Sequence, residues 1–397
     1  MQSKCFFTSL LICLYILCSC QGQVSQPASK RPTNDNKVVG GPFENGDFMY
    51  IGMPKNIASV DTSPGWHQPG QQLLITGTMF KQDGKTPAPG VILYYYHTDV
   101  HGLYANMPEL DRRVARHGYI RGWVKSDTNG RYAIYTVRPA PYPDRDFEAH
   151  IHPTIKEPGI DKEYYIDEFV FDDDPLLTGA KRKNLPNRGG SGILRLVQQG
   201  NLQIAEHDII LGLNIPNYPG SLKQARVSGK EIGEDQPSFA PHHVYGPDKG
   251  SKACPVCKYG RYQGILYFVG RHPDWNDIKK WLSFLDEQSL ARGKFLKAYL
   301  IYGNDKDFNQ EKIRTQLERL GTELNLQRIA LTMVPSFSDT ESDVNLSAID
   351  PDLKNTIILY RNRVIIDKFY ELTATQENFR LISNRLEASR SPYENLP

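Results

Sequence analysis

The chain has 397 residues, of which 39% are hydrophobic and 23% are charged, and its formal net charge is +2. This composition is typical of a globular protein, and the length suffices for two or three domains. The small net charge indicates no basic surface of the kind that binds nucleic acid, so we expect no nucleic-acid partner.

The first 20 residues predict an export signal. Lys4 is the single charged residue among them, and the apolar run over 5–20 is short for a membrane span. The end of this run, Leu17-Cys18-Ser19-Cys20, resembles the lipobox of bacterial lipoproteins, which implies lipid attachment at Cys20. Simple secretion and an uncleaved anchor helix are the alternatives. We therefore expect an exported protein of the bacterial cell envelope that meets the membrane only through a lipid anchor.

Residues 21–60 are polar and rich in Ser, Pro and Asn, which predicts a flexible tether. The pattern then becomes β-like, and it predicts a β-sandwich over 61–220. A hairpin is expected over 122–137, where Asn129-Gly130 is a strong turn signal between two alternating segments. The other predicted strands are 71–80, 90–98, 164–171, 191–197 and 207–215.

Two histidines and a tyrosine stand close together in RPAPYPDRDFEAHIH, residues 138–152. His150 and His152 are spaced i, i+2, so on an extended strand both imidazoles point to the same face. Tyr142 lies between Pro141 and Pro143, which restrict the backbone around it. A rigid phenol and two imidazoles on one face predict a metal site.

A longer set of motifs carries a family resemblance. Gly102-Leu103-Tyr104, the segment SDTNGRYAIYTVRPAPYP at 126–143 and Ala149-His150-Ile151-His152 agree in order and residue type with one family. They resemble the intradiol ring-cleavage dioxygenases, which are the catechol and protocatechuate dioxygenases. The resemblance covers roughly residues 60–220, including FDDDPL at 171–176.

The resemblance implies a β-sandwich with a non-haem Fe(III) at its edge, and four ligands to that iron: Tyr104, Tyr142, His150 and His152. Phenolate oxygen and imidazole nitrogen suit ferric iron, whereas two histidines and one carboxylate would suggest Fe(II). The resemblance also implies a catechol-type substrate that is cleaved with O2 between its two hydroxyl-bearing carbons. Tyr142 is then the catalytic residue that leaves the metal and accepts a proton.

Two positions depart from the family pattern. The family commonly has an arginine three residues before the first histidine of HIH, where this chain has Phe147, and Arg145 lies two residues earlier. Glu168 stands where a glutamine is common. Phe147 favours an apolar or bulkier aromatic substrate over a small carboxylated catechol.

The C-terminal part of the chain has a different pattern. Residues 221–250 are rich in Pro, Gly and Lys and predict a linker. Strands are then predicted over 264–270, 294–303, 328–335 and twice within 355–372, with helices after Asp274, over 311–324 and after residue 373. Asp274 is a predicted N-cap. This order is similar to the thioredoxin fold, so 251–397 is expected to form an α/β thioredoxin-like domain.

Cys254 and Cys257 form a CxxC pair ahead of the first strand of this domain. In thioredoxins the pair follows that strand and opens a helix, but here the equivalent position, GRHPDW, has no cysteine. The alternatives are a structural disulfide, a redox pair and a zinc site completed by His242 or His243. The position favours the disulfide, because a thiol without a helix terminus keeps a pKa near the ordinary ~8.5.

The sequence as a whole predicts an exported multidomain enzyme, a non-haem Fe(III) intradiol dioxygenase that uses O2 and a catechol-type substrate. One alternative is an envelope binding or scaffold protein that retains the iron-site sandwich. Another is a thiol–disulfide redox protein that acts through its C-terminal domain. No oligomeric state follows from the sequence.

Overall fold

The computed structural model describes residues 38–220 and 227–396. The export signal, Cys20 and the first part of the tether lie outside the described residues. The described residues belong to one compact unit, Asn36–Pro397. Within these residues no helix is both long and apolar enough to span a bilayer.

Strands and one short helix form the first part of the fold. The strands are β1 (Val60–Thr62), β2 (Gln72–Phe80), β3 (Ile92–His97), β4 (Arg121–Lys125), β5 (Arg131–Val137), β6 (His150–Lys156), β7 (Tyr164–Tyr165), β8 (Phe169–Phe171), β9 (Ile193–Leu194), β10 (Leu196–Gln199), β11 (Leu202–Glu206) and β12 (Ile209–Ile210). The helix is α1 (Gly179–Lys183), and 3-10 helices span Gly46–Tyr50, Pro64–His67 and Arg112–His117.

These strands form two mixed sheets. One has the order β1-β5-β2-β11-β10, with β12 beside β2, and the other has the order β4-β3-β6-β8-β9, with β7 beside β6. Buried side chains of both sheets belong to one core, for example Ile75 of β2, Leu93 of β3 and Ile151 of β6. The two sheets therefore pack face to face, as the predicted β-sandwich requires.

The predicted hairpin over 122–137 is wrong, although its turn is present. The Asp127 side chain accepts hydrogen bonds from the backbone N–H groups of Asn129 and Arg131, and Gly130 has a φ of 74°. However, β4 pairs with β3, whereas β5 pairs with β1 and β2. The turn carries the chain from one sheet to the other, because each strand finds its hydrogen-bonding partner in a different layer.

The second half of the predicted tether is packed against the sandwich. Met49 is fully buried, and its carbonyl oxygen accepts a hydrogen bond from the Trp123 indole at 2.7 Å. The Gly40 N–H donates to the carbonyl oxygen of Pro216 at 2.7 Å. The described residues from 38 onward therefore belong to the folded part, because their apolar side chains and backbone groups find partners there.

The C-terminal part contains one further sheet and four helices among the described residues. Its strands are β13 (His242–Tyr245), β14 (Gln263–Val269), β15 (Leu296–Gly303), β16 (Ala330–Val334), β17 (Thr356–Arg361) and β18 (Val364–Tyr370). Its helices are α2 (Pro255–Tyr259), α3 (Trp275–Arg292), α4 (Gln310–Glu323) and α5 (Gln376–Ala388), with 3-10 helices at Gly293–Phe295 and Val344–Ser347. The predicted strands and helices after residue 260 are confirmed. Asp274 caps α3 as expected, accepting from the N–H groups of Asn276 and Asp277.

The third sheet has the order β13-β16-β15-β14-β17-β18. Its first strand, β13, lies inside the predicted linker and pairs with β16. Helices α3, α4 and α5 share one core on one face of the sheet. Loop residues such as Phe239 and Phe337 cover the other face, together with Val256 of α2. The thioredoxin-like assignment and the domain boundaries stay predictions.

Partly buried ion pairs join the C-terminal part to the sandwich. Arg361 of β17 contacts Glu206 of β11 at 2.9 Å, and Arg195 contacts Asp235 at 2.6 Å. Charges that leave water need such partners, so these pairs position the two parts against each other.

Candidate metal centre

The histidine pair lies on β6, as the i, i+2 spacing predicts. This strand is flanked by β3 and β8, so its extended backbone is held on both sides. Ile151 points into the core and is fully buried. His150 and His152 therefore share the opposite face, with ring centroids 4.6 Å apart.

The two tyrosines come from loops that follow β3 and β5. Gly102, with a φ of 75°, lies so close to the second loop that a Cβ atom there would sit 2.0 Å from the carbonyl oxygen of Pro141. Only glycine permits this approach. The contact brings the loop of Tyr104 against the loop of Tyr142.

The four side chains meet at one point. Tyr104 Oη lies 2.5 Å from Tyr142 Oη and 2.8 Å from His152 Nε2, and Tyr142 Oη lies 3.2 Å from His150 Nε2. Two oxygen and two nitrogen donors thus converge from three separate segments of the chain.

Each imidazole is oriented by a partner on its far nitrogen. His150 Nδ1 lies 2.7 Å from the backbone carbonyl oxygen of Glu148, and His152 Nδ1 lies 2.9 Å from Glu168 Oε1. A carbonyl oxygen and a carboxylate accept hydrogen bonds, so Nδ1 carries the proton in both rings. The Nε2 lone pairs then face the two phenols, which is the arrangement of metal-ligating histidines with their outer partners.

Burial shapes the protonation of the four groups. Burial raises the pKa of Tyr104 and of Tyr142 above the ordinary value. Burial, followed by the nearby His152, lowers the pKa of His150. The phenols therefore keep their protons in the absence of a cation, while the His150 imidazole is neutral and available as a ligand.

In the described part of the chain, one cluster of histidine, cysteine and carboxylate side chains has metal-binding geometry. Its members are His150, His152 and Glu168. Burial alone would raise the pKa of Glu168, but the hydrogen bond that its carboxylate accepts from His152 works in the opposite direction, and the net effect lowers the pKa of Glu168. Its carboxylate meets His152 at Nδ1, on the side of the ring away from the phenols. We therefore interpret Glu168 as the residue that orients His152.

Replacing Glu168 tests this role. We expect Glu168→Ala to weaken metal binding by about 10–100-fold, which is the usual effect of losing an outer partner. Glu168→Gln should weaken it less, because an amide oxygen still accepts from Nδ1–H. Metal content after dialysis against graded chelator measures the effect, and Asp161→Asn, at an exposed carboxylate, is the control. Equal metal content in both Glu168 variants and wild type would contradict the role.

The structure also locates Phe147 and the nearby Arg145. Phe147 is 53% exposed, and the ammonium of Lys181 lies 5.7 Å from its ring centroid. The guanidinium of Arg145 lies 5.8 Å from the Tyr142 ring centroid. Arg145 therefore contacts the ring of Tyr142 and stays near the site, although Phe147 occupies the usual arginine position.

A cavity of about 270 Å³ opens beside the cluster. Besides Tyr104, Tyr142 and His152, it is lined by residues that the sequence did not single out: Phe43, Glu44, Asn45, Gly46, Tyr94, Tyr96, Arg116, His117 and Thr154. Burial and the neighbouring His152, Arg121 and Arg116 lower the pKa of His117 to about 3, so this imidazole is neutral. The only sequence signal for these residues was the aromatic run YYY within β3.

The cysteine pair lies elsewhere, in the C-terminal part. A disulfide joins Cys254 and Cys257. The expectation that no helix follows Cys254 is wrong, because Cys254 caps the five-residue helix α2 and its sulfur accepts from the Cys257 N–H at 3.0 Å. The zinc alternative with His242 or His243 finds no support, because the disulfide leaves neither sulfur as a thiolate ligand. Both ring nitrogens of His243 also contact backbone carbonyl oxygens.

The disulfide closes a very short loop, so its removal should have a modest effect. We expect the double variant Cys254→Ser, Cys257→Ser to lose about 2 kcal/mol of unfolding free energy and to keep any catechol-cleaving activity. Urea unfolding of the oxidised protein and the variant measures the change. In an insulin-reduction assay we expect no rapid turnover by wild type, and rapid turnover that disappears in the variant would contradict a structural role.

Three comparisons relate the chain to known proteins. Residues 47–183 match the profile of a family described as Dioxygenase. A catechol 1,2-dioxygenase of Acinetobacter baylyi is 28% identical over 97 residues, which is 24% of this chain and 30% of that protein. The chain therefore spans less than a third of the relative that it matches.

Among solved structures, the dioxygenase domain of a dioxygenase carbohydrate-binding protein fusion from Streptomyces sp. SirexAA-E is 20% identical, with 40% of this chain and 92% of that chain covered and a TM-score of 0.29. The 3-chlorocatechol 1,2-dioxygenase of Rhodococcus opacus 1CP is 21% identical, with 44% and 71% covered and a TM-score of 0.31. Likeness at this level does not identify a function.

Proposed function

Because residues 47–183 match the dioxygenase family, we propose that this chain is an intradiol ring-cleavage dioxygenase. It uses O2 to open a catechol-type ring between the two hydroxyl-bearing carbons. Its ligands for a non-haem ferric iron are Tyr104, Tyr142, His150 and His152.

One observation carries this proposal. Two phenol oxygens and two imidazole Nε2 atoms converge, and neighbouring atoms of this set lie 2.5–3.2 Å apart. The Nδ1 atom of each imidazole contacts an oxygen of Glu148 or Glu168 instead. Two phenol oxygens and two imidazole nitrogens that converge from three segments of the chain are a donor set that suits a metal ion, and a bound cation would replace the phenol protons.

The donor types favour ferric iron. Phenolate oxygens are hard anionic ligands, and imidazole binds iron among other metals. The carboxylate of Glu168 bonds to the far side of His152, so a ligand set of two histidines and one carboxylate is less favoured. Ferric iron held by this set would draw electron density from a bound catecholate and make its ring carbon reactive towards dioxygen.

The residues of the chain supply positioning and proton transfer. With its own proton displaced by a bound cation, Tyr142 would be a phenolate whose Oη can accept a proton from a substrate hydroxyl. The prolines on both sides keep its ring at the cavity wall. Glu148 and Glu168 hold the two imidazoles in one tautomer through the contacts described above. Tyr96 stacks on His152 with ring centroids 4.5 Å apart, which limits the movement of that ring and presents an aromatic wall to the substrate.

The scaffold and redox alternatives are not favoured. All four proposed ligand residues are present and converge, which a mere scaffold does not require. The cysteine pair is closed in a disulfide and lies on the C-terminal part of the chain. For that part we propose a thioredoxin-like α/β domain that supports the enzyme and carries no redox activity of the thioredoxin type.

The test of the proposed function is oxygen uptake by iron-loaded full-length protein across a panel of catechols. We expect uptake with a ring-cleaved diacid as product, and a visible absorption band from tyrosinate-to-Fe(III) charge transfer. An iron-loaded but colourless protein that consumes no oxygen with any catechol would favour the scaffold alternative and overturn the proposal.

We also propose that the protein is lipid-anchored at the bacterial cell envelope through Cys20. Cys20→Ser should convert a membrane-associated protein into a soluble exported one, because the thiol that carries the lipid is lost. Fractionation of cells that express each form, with Cys18→Ser as the matched control, measures this. A wild-type protein that already fractionates as soluble would contradict the anchor.

A further inference from the structure

The cavity beside the candidate metal centre continues past the ligand residues. Tyr96 stacks on His152 on one face, at 4.5 Å between ring centroids, and on His117 on its other face, at 3.7 Å. All three rings line the cavity. Its wall therefore extends two stacking distances beyond His152, to a far end that the proposed chemistry does not use.

His117 presents a hydrogen-bond donor at this far end. Its Nδ1 lies 2.9 Å from Tyr94 Oη, and the guanidinium of Arg121 donates to the same oxygen at 3.5 Å. The buried Tyr94 hydroxyl has no other acceptor among the described residues, so it donates to Nδ1. The His117 proton therefore resides on Nε2, which has no partner in the described part of the protein.

Arg116 supplies a cation beside this donor. Its guanidinium lies 5.2 Å from the ring centroid of Phe48, which holds it by stacking and leaves its edge free to bind. Across residues 38–220 and 227–396, no ion pair or hydrogen bond involves its side chain. The neighbouring Arg113, in contrast, is paired with Asp111 at 2.7 Å. Glu44 is the single carboxylate of the lining, which disfavours a ligand with several negative charges.

We propose that the far end is a subsite for the carboxylate of an extended catechol substrate, bound by Arg116 and His117. This inference rests on the proposed function and specifies its substrate class. The acid is carried on a side chain of two or three carbons, as in dihydroxyphenyl-propanoic acids. A carboxylate attached directly to the ring does not reach Arg116 and His117, because the subsite lies two stacked rings beyond His152.

The size of the cavity agrees with this substrate. At about 270 Å³ it approaches the ~300–1,000 Å³ range of pockets that enclose drug-sized ligands. Two additional carbon–carbon bonds of about 1.5 Å each lengthen the ligand towards Arg116. Phe147 is exposed and stands where the family commonly has arginine, so the side chain at this position offers no charge to a ring-bound carboxylate.

The experiment compares kcat/KM of iron-loaded full-length protein for catechol, 4-ethylcatechol, 3,4-dihydroxybenzoate and 3-(3,4-dihydroxyphenyl)propionate. We expect the propionate to exceed 4-ethylcatechol by about tenfold, as for a charge-assisted hydrogen bond. Arg116→Gln should reduce that ratio about tenfold, and Arg116→Lys should restore part of it. Arg112→Gln, which removes an exposed arginine of the same 3-10 helix outside the cavity, is the control.

A binding measurement separates this inference from the proposed function. We expect 3-(4-hydroxyphenyl)propionate, which lacks the second hydroxyl, to bind wild type more tightly than 4-ethylphenol, and Arg116→Gln to remove the difference. Absence of cleavage with every catechol would overturn the proposed function. The binding measurement, made by calorimetry, would then decide about the subsite by itself. Equal affinity for the acid and the neutral compound, or a preference that survives Arg116→Gln, overturns the subsite.

Discussion

The Tyr142→Phe variant should retain iron and cleave catechol about 10²–10⁴ times more slowly than wild type. The substitution removes only Oη, which lies 2.5 Å from Tyr104 Oη and 3.2 Å from His150 Nε2. It thereby removes the proton acceptor, and a positioned acid or base typically contributes that factor. Part of the visible absorption should also disappear, because one of two phenolates is lost.

The fold should not change in this variant, because phenylalanine fills the same space between Pro141 and Pro143. Tyr165→Phe is the matched control, since Tyr165 is 37% exposed and its ring packs beside Phe43. Steady-state oxygen uptake, iron content and the visible spectrum are compared in the three proteins. Unchanged rate and colour in Tyr142→Phe would remove this residue from the ligand set.

The second large effect is expected for His150→Ala. This variant should bind iron more than about 100-fold less tightly, because losing an outer partner alone typically costs 10–100-fold and here a ligand itself is removed. His150 is 8% exposed and lies on the site face of β6, beside the core residue Ile151. The thermal unfolding midpoint should therefore fall much less than the iron affinity.

Iron retained during dialysis against a chelator measures the affinity, and thermal unfolding monitors the fold. The control His67→Ala removes an exposed histidine that is not part of the site. It should leave the iron affinity and the thermal unfolding midpoint unchanged. If His150→Ala keeps its full iron content, the proposed site is incorrect. If it loses iron only because it unfolds, the thermal data will reveal this.

The sequence predictions were accurate where local interactions determine the structure and less accurate where partners distant in sequence determine it. The strands and helices after residue 260 were predicted well, because they are long and their apolar periodicity is a local property. Strands β7 to β12 were predicted poorly. The single strand expected over 207–215 is reduced to Ile209–Ile210, and β11 was missed. Such short strands end where their partner strands end, and a partner distant in sequence leaves no local signal.

The candidate site shows the same division. The placement of His150 and His152 on one face follows from period-two geometry along a single strand. Tyr104 came from the family resemblance, because no local rule connects a loop after β3 to the pair on β6. Tyr94, Tyr96, Arg116 and His117 were missed, since their shared cavity arises from the pairing of β3 with β4 and β6 and from the 3-10 helix over Arg112–His117.

The sequence by itself determined which donor atoms this protein can offer to a metal and how each is held locally, through strand alternation and flanking prolines. The tertiary structure alone decided that these atoms meet. Gly102 brings two loops together where a side chain would collide with Pro141, and Glu168 reaches His152 from the connection just before β8. It also decided that Asn129-Gly130 joins two sheets, because the hydrogen-bonding partners of β4 and β5 lie in separate layers.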